Sequence, residues 1–155
     1  MTPATNILKK AGINHQIHSY QHDSTSRAYG EEAAEKLNIS FDQLFKTLVI
    51  SVDHQILTVA VVPVSRQLDL KQFVKAIGSK RAQMADKNEA QRSTGYVLGG
   101  ISPIGQKKKL KTVIDSSALN FDTIYVSAGR RGLQIELSPK DLGAMTGATY
   151  FEISK

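Results

Sequence analysis

The sequence predicts an α+β fold, a single domain over residues 1–155 with a mixed, mostly antiparallel sheet and several short flanking helices. Three observations carry this expectation. Helix-like and strand-like runs alternate without the regular βαβ order of a parallel sheet. Two strong apolar runs, 47–52 and 56–62, are separated only by Asp53-His54-Gln55, the spacing of an antiparallel hairpin. A chain of 155 residues is long enough for one core and short for two.

Each element has its own signal. Thr2 caps a first helix, Pro3 suits its first turn and Gly12 ends it. Ala4, Ile7, Leu8 and Ala11 fall at helical spacing and give that helix one apolar stripe. Residues 15–20 read as a short strand and about 31–37 as a short helix, with Glu31 and Glu32 at its positive end. After the hairpin, Pro63 has no N–H to donate to a ladder and closes the second strand. Asp69 caps a third helix whose Leu70, Phe73, Val74 and Ile77 repeat the helical spacing up to Gly78. Asp86-Lys87-Asn88-Glu89 resembles a capping box for a fourth. A turn-rich stretch over 95–109 follows, then strands at 111–115, 123–126 and 133–137. The last two are joined by Ala128-Gly129-Arg130-Arg131-Gly132 as a second hairpin. Ser138-Pro139 opens a small helix, and 149–153 forms a closing strand. No repeat, low-complexity tract or linker interrupts the chain.

Composition narrows the function classes. The longest apolar stretch is strand-sized, whereas a membrane span takes roughly 20 apolar residues. The N-terminus has no basic region ahead of an apolar core, so a secretory signal is not expected. With no cysteine there are no disulfides, thiolate nucleophiles or Cys-based zinc sites, in keeping with a cytoplasmic location. The net charge of +6 is uneven: residues 77–111 hold eight basic and two acidic groups, while the flanking parts are close to balanced. Concentrated positive charge suits a polyanion such as nucleic acid, and equally a solvated basic face.

Several chemistries fail on inspection. Gly100-Ile101-Ser102-Pro103-Ile104-Gly105 has P-loop glycine spacing, but Gln106 stands where the lysine belongs. Ser102 is no nucleophile elbow, because Pro103 after it has no N–H for an oxyanion hole. What survives is a loop whose glycines let backbone amides approach a ligand, or a plain surface turn. His18, Tyr20 and His22 share a strand face, but no third ligand accompanies the two histidines, so no metal site is expected. Lys46 stands at the mouth of an apolar run, on the face of Leu48 and Ile50. It either binds an oxygen ligand at a cleft or reaches into solvent and pairs with Asp42.

These signals coincide with a family pattern. Met1-Thr2-Pro3-Ala4, Phe45-Lys46-Thr47-Leu48, Met84-Ala85-Asp86, the stretch 93–108 with Gly99-Gly100-Ile101-Ser102-Pro103, and the stretch 123–133 together resemble the YbaK/EbsC family of aminoacyl-tRNA deacylases. That family is related to the editing insertion domain of bacterial prolyl-tRNA synthetase. The resemblance implies a strongly curved sheet and a pocket for the amino acid esterified to the terminal adenosine. It places Lys46 as the catalytic pocket lysine, with Gly99, Gly100, Ile101, Ser102, Pro103 and Gly105 on the pocket loop and Tyr20, Tyr29 and Thr47 as lining residues. Family members often carry Phe where this chain has Tyr29. The implied activity is Cys-tRNA(Pro) deacylation, in which the substrate's own thiol attacks its ester and leaves as a cyclic thiolactone, without a cofactor. A deacylase for Ala or another small amino acid, or a non-catalytic tRNA-binding module, are the alternatives. tRNA would meet Lys80, Arg81, Lys107, Lys108, Lys109, Arg130 and Arg131, and specificity for tRNA(Pro) would come from a transient complex with prolyl-tRNA synthetase.

Overall fold

The computed structural model describes residues 1–155. Local chemistry sets the first helix, α1 (Pro3–Ala11): Thr2 and Thr5 cap each other's backbone N–H groups, and Gly12 closes the helix at φ 69°. Its inward face differs from the expected stripe. Ala4, Thr5 and Leu8 are buried, whereas Ile7 and Ala11 are exposed, because the Thr2 hydroxyl also donates to the Ala128 carbonyl and fixes the helix's rotation. Strand β1 (His15–Ser19) follows, then α2 (Tyr29–Leu37), which begins two residues before its acidic pair. No N-cap side chain holds the start of α2. Instead buried Glu32 accepts from His22 at 2.6 Å, the Asp23 N–H at 2.7 Å and Lys36 at 3.1 Å, tying the preceding loop to the first turns.

The central hairpin is β2 (Phe45–Val52) and β3 (Ile56–Pro63), antiparallel with Phe45 opposite Pro63. Helix α3 (Leu70–Ile77) starts at Asp69, whose carboxylate accepts from Lys71 and Gln72 N–H. It is followed by β4 (Ala82–Met84), a three-residue strand with too little alternation to be expected from sequence. In α4 (Lys87–Thr94), Asp86 accepts from the Asn88 and Glu89 N–H groups. The remaining elements are β5 (Lys111–Asp115), a 3₁₀ turn (Ser116–Asn120), β6 (Ile124–Ser127), β7 (Leu133–Leu137), α5 (Pro139–Thr146) and β8 (Thr149–Phe151). The closing strand is shorter than expected. Ile153 leaves the ladder because its N–H donates to Asp115 and its carbonyl accepts from Asp69, which buries its side chain against α3.

The sheet is mixed and mostly antiparallel, but divided. Five strands run β4-β2-β3-β5-β8, with β3, β5 and β8 parallel, and three run β1-β7-β6 antiparallel. The two sheets touch through one bridge, Leu44 to Tyr125, beside a bond from Tyr125 N–H to the Gln43 carbonyl. Strand alternation then sorts the core. Phe45, Val49, Val59 and Val61 face Val126, Leu133 and Ile135 of the smaller sheet, together with Ala4 and Leu8 of α1. On the opposite face of β2 and β3, Ile50, Val52, Ala60 and Val62 pack against Phe73 and Ile77 of α3. Each fully buried aromatic or branched side chain of that layer contributes about 1.5–3 kcal/mol. A third group, Ala33, Ala34, Leu44 and Val64, seats α2 over the start of β2. The start of β2 thus lies between both sheets and α2.

Candidate active site

A cleft of about 360 Å³ opens where β2 begins. Consecutive residues of that strand point to opposite faces, yet Lys46 and Thr47 both line the cleft because it wraps around the strand's end. Its walls are largely apolar: Leu44, Phe45, Leu48, Val64, Leu98 and Ile101, with Tyr29 and Gly30 from α2. Lys46 is half-buried and forms no salt bridge; Asp42, its partner in one of the two readings, accepts from the Ser65 hydroxyl at 2.6 Å instead. Two further polar groups meet the cleft without partners. Thr47 Oγ1 and Gln134 Oε1 are buried and make no hydrogen bond. An unpartnered buried polar atom costs about 1–3 kcal/mol, so these two atoms stand out among the residues that line the cleft with Lys46.

The wall between cleft and solvent is braced by aromatic and cationic packing. The Arg131 guanidinium lies 4.7 Å from the Tyr29 ring centroid, and its Nε donates to the Leu98 carbonyl at 2.9 Å. The His22 ring sits 5.9 Å from Tyr29 on the segment that Glu32 anchors. Gly99 makes this closeness possible: at φ 85° it approaches the Tyr29 ring so nearly that a Cβ would stand 2.8 Å from three ring carbons. Gly100 packs against the Arg130 backbone, where a Cβ would meet the Cα at 2.7 Å.

Five of the residues singled out in the sequence therefore meet at the cleft: Lys46, Thr47, Tyr29, Gly99 and Ile101. Gly100, Ser102, Pro103 and Gly105 do not line it. Ser102 is fully buried, its hydroxyl accepting from Ile104 N–H, Pro103 is buried beside it, and Gly105 packs on the Pro3–Ala4 backbone and the Tyr96 hydroxyl. That part of the loop is turned inward as scaffold. Tyr20 lines a separate depression with His22 and Lys36. Burial raises its hydroxyl above the ordinary 10.0, and Tyr20 does not line the cleft.

Other expectations separate in space. His18 turns to Glu136 at 2.9 Å and His22 to Glu32 at 2.6 Å, each histidine paired with its own carboxylate. Lys107 and Lys108 donate backbone N–H groups to the last carbonyls of α4, and Lys109 lies beside Gly147 at the end of α5, where cations favour the negative helix termini. Arg130 is exposed near the cleft, Arg131 is engaged in its wall, and Lys80 and Arg81 lie at the turn of the central hairpin.

Arg27, Ser127 and Gln134 also line the cleft and were not singled out. Ser127 and Gln134 stand opposite each other across β6 and β7. Gln134 lies between inward-facing Leu133 and Ile135, so alternation alone reads it as solvent-facing. The available signal was a polar pair at facing positions of one hairpin.

Residues 23–144 match the aminoacyl-tRNA editing domain. The chain belongs to that family, of the YbaK type. EbsC of Enterococcus faecalis, proposed as a Cys-tRNA(Pro)/Cys-tRNA(Cys) deacylase, is 41% identical over 124 residues, covering 80% of this chain and 76% of that protein. The Ser/Thr-tRNA deacylase ProXp-y of Escherichia coli is 35% identical over 83 residues, 53% of this chain and 50% of that one. Among solved structures, a proposed trans-editing enzyme for prolyl-tRNA synthetase superposes with a TM-score of 0.86 at 21% identity, covering 99% of this chain and 95% of that one, a likeness of fold. As an editing domain the protein acts on aminoacyl-tRNA by deacylation. None of its helices is long and apolar enough to cross a membrane.

Proposed function

We propose that this editing domain removes cysteine mischarged onto tRNA(Pro), by holding the ester so that the substrate thiol attacks it. The observation that carries the reading is the grouping of unpaired Lys46 with the unpartnered Thr47 Oγ1 and Gln134 Oε1 in one cleft, which Arg27, Glu31 and Ser127 also line. Gln134 Oε1 is an acceptor matched to the α-ammonium of an aminoacyl ester, and Thr47 Oγ1 can donate to or accept from its oxygens. Lys46 supplies positive charge to the oxygen on which negative charge develops.

The cleft contains no built nucleophile. The chain has no cysteine, the Thr47 hydroxyl has no base bonded to it, and the Ser127 hydroxyl accepts only from the Gly129 N–H. A substrate that carries its own nucleophile suits such a site, because the protein then contributes positioning alone. In that step the cysteinyl sulfur bonds to the carbonyl carbon, the ester C–O bond to the ribose breaks, and the proton lost by the thiol ends on the ribose hydroxyl. The products are free tRNA and the cyclic thiolactone. Selectivity for tRNA(Pro) comes, in this reading, from transient association with prolyl-tRNA synthetase.

A second reading rests on the same two unpartnered atoms. A seryl or threonyl hydroxyl is a stronger donor than a thiol and satisfies either oxygen better. Deacylation of Cys-, Ser- and Ala-tRNA(Pro) separates the readings. Fastest loss of Cys with a thiolactone product is expected, and Lys46→Ala lowers kcat/KM by about 100-fold or more while folding normally. Equal rates for Ala and Cys would refute attack by the thiol, and undiminished Lys46→Ala activity would refute the role of the lysine.

A further inference from the structure

Three cations of the basic stretch, Lys80, Arg81 and Lys111, stand at the end of the five-stranded sheet opposite the cleft. Asp53, at the β2–β3 turn, accepts the backbone N–H groups of Lys80 at 2.9 Å and Arg81 at 3.0 Å, which brings both residues to the turn. Lys71 joins them along a groove of about 570 Å³ whose apolar parts are Leu70, Val74 and Ala82. Lys111 stands at the same end, opposite Thr58 at the start of the parallel β3–β5 pair, and donates to the last carbonyl of α3 at 3.2 Å. Lys71, Lys80 and Arg81 are exposed, and none of them forms a salt bridge. The one carboxylate of the groove, Asp53, is taken up by the two backbone donors.

Position adds to charge. Lys46 and Ser51, which border the cleft and the groove respectively, lie on one strand. They are five steps apart along it, about 17 Å at 3.4 Å per residue. A small anion held at one site does not reach the other; an extended polyanion does.

We propose that the groove of Lys71, Lys80 and Arg81 grips the phosphate backbone of the acceptor arm of the same RNA whose aminoacylated end enters the cleft. This rests on the cleft reading above and adds a second, remote contact to it. The groove holds the duplex by charge, independent of its sequence, while the single-stranded CCA end spans the interval from the cleft.

The test compares two deacylated RNAs, a hairpin with an acceptor-stem duplex ending in CCA and the free CCA trinucleotide, in salt titrations of binding by fluorescence anisotropy. For the triple variant Lys71→Gln, Lys80→Gln, Arg81→Gln, the slope of log K against log salt for the hairpin becomes shallower by about 2–3. The preference for hairpin over trinucleotide falls at least tenfold, and a charge-conserving variant, Lys71→Arg with Lys80→Arg, keeps both. An unchanged hairpin slope overturns the proposal, as does an equal loss on hairpin and trinucleotide. Retained RNA binding with lost association to prolyl-tRNA synthetase also overturns it, and assigns the groove to a protein partner. Deacylation of the aminoacylated trinucleotide judges the cleft separately: if the wild type does not cleave it, the cleft reading falls while the hairpin slope still decides the groove.

Discussion

Replacing Thr47 by Val tests whether the cleft is built around polar atoms that wait for substrate. Val keeps the β-branched shape that suits a strand and removes only the hydroxyl. In the free protein Thr47 Oγ1 is buried without a partner, a condition that costs about 1–3 kcal/mol. Thr47→Val therefore stabilises the fold by about 1–2 kcal/mol, which raises Tm by about 3–6 °C for a chain of this length. Catalysis moves the other way. Losing one hydrogen bond of about 0.5–1.5 kcal/mol to the bound ester lowers kcat/KM roughly 2- to 13-fold. Thr58→Val on the neighbouring strand is the matched control, because the Thr58 hydroxyl donates to the Ile50 carbonyl at 2.9 Å in the core. There the same substitution removes a made bond and destabilises by about 1 kcal/mol, so strand preference for Val cannot account for a difference of sign. Thermal melts and deacylation of Cys-tRNA(Pro) read both variants. A Thr47→Val protein no more stable than the wild type, or one with unchanged kcat/KM, refutes the reasoning.

Gly99→Ala forces a side chain at φ 85° to within 2.8 Å of the Tyr29 ring, and costs about 2–4 kcal/mol from backbone strain and overpacking together. Activity falls as the Tyr29–Arg131 wall shifts, and adding Tyr29→Ala recovers part of the stability; additive losses in a double-mutant cycle would sink the contact argument. The Glu32 carboxyl gives an acid-dependent prediction. Burial acts to raise its pKa, but hydrogen bonds from Asp23 N–H, His22 and Lys36 outweigh it and hold the group below its ordinary 4.5. A depressed carboxyl stabilises the fold above its unfolded pKa, and that stability is lost as pH falls through the folded value. Wild-type Tm therefore declines below about pH 4.5 more steeply than that of Glu32→Gln, whose Tm is already lower at pH 7; parallel curves from pH 7 to pH 3 would count against it.

Much of the fold was legible in the chain. Thr2, Pro3 and Gly12 for α1, Asp69 and Gly78 for α3, and the short spacer at Asp53-His54-Gln55 are local signals, and the helices and hairpin appear where they point. Local signals work because a cap or turn is decided by neighbours within a few residues. The three-residue β4 and the early start of α2 escaped, since one is held by pairing with β2 and the other by Glu32's bonds to the loop before it.

For the site the division is sharper. The family motif was enough to single out Lys46, Thr47, Tyr29 and Gly99, residues that the fold brings to one cleft. It grouped Gly100, Ser102, Pro103 and Gly105 with them, although contacts with Arg130, Ile104, Pro3 and Tyr96 turn those residues into support. It said nothing of Gln134, which strand alternation assigns to the solvent side; α2 and Tyr20 cover that side of the smaller sheet and bury it. Nor did it show that Lys80 and Arg81 stand at the opposite end of β2 from Lys46, or that Lys107 and Lys108 are held at the end of α4 and Lys109 beside the end of α5. Charge type, capping and hydrophobic period are properties of nearby residues and can be read along the chain. Which polar atom is left without a partner, and which cations share a surface, depend on segments far apart in sequence, and only their packing decides them.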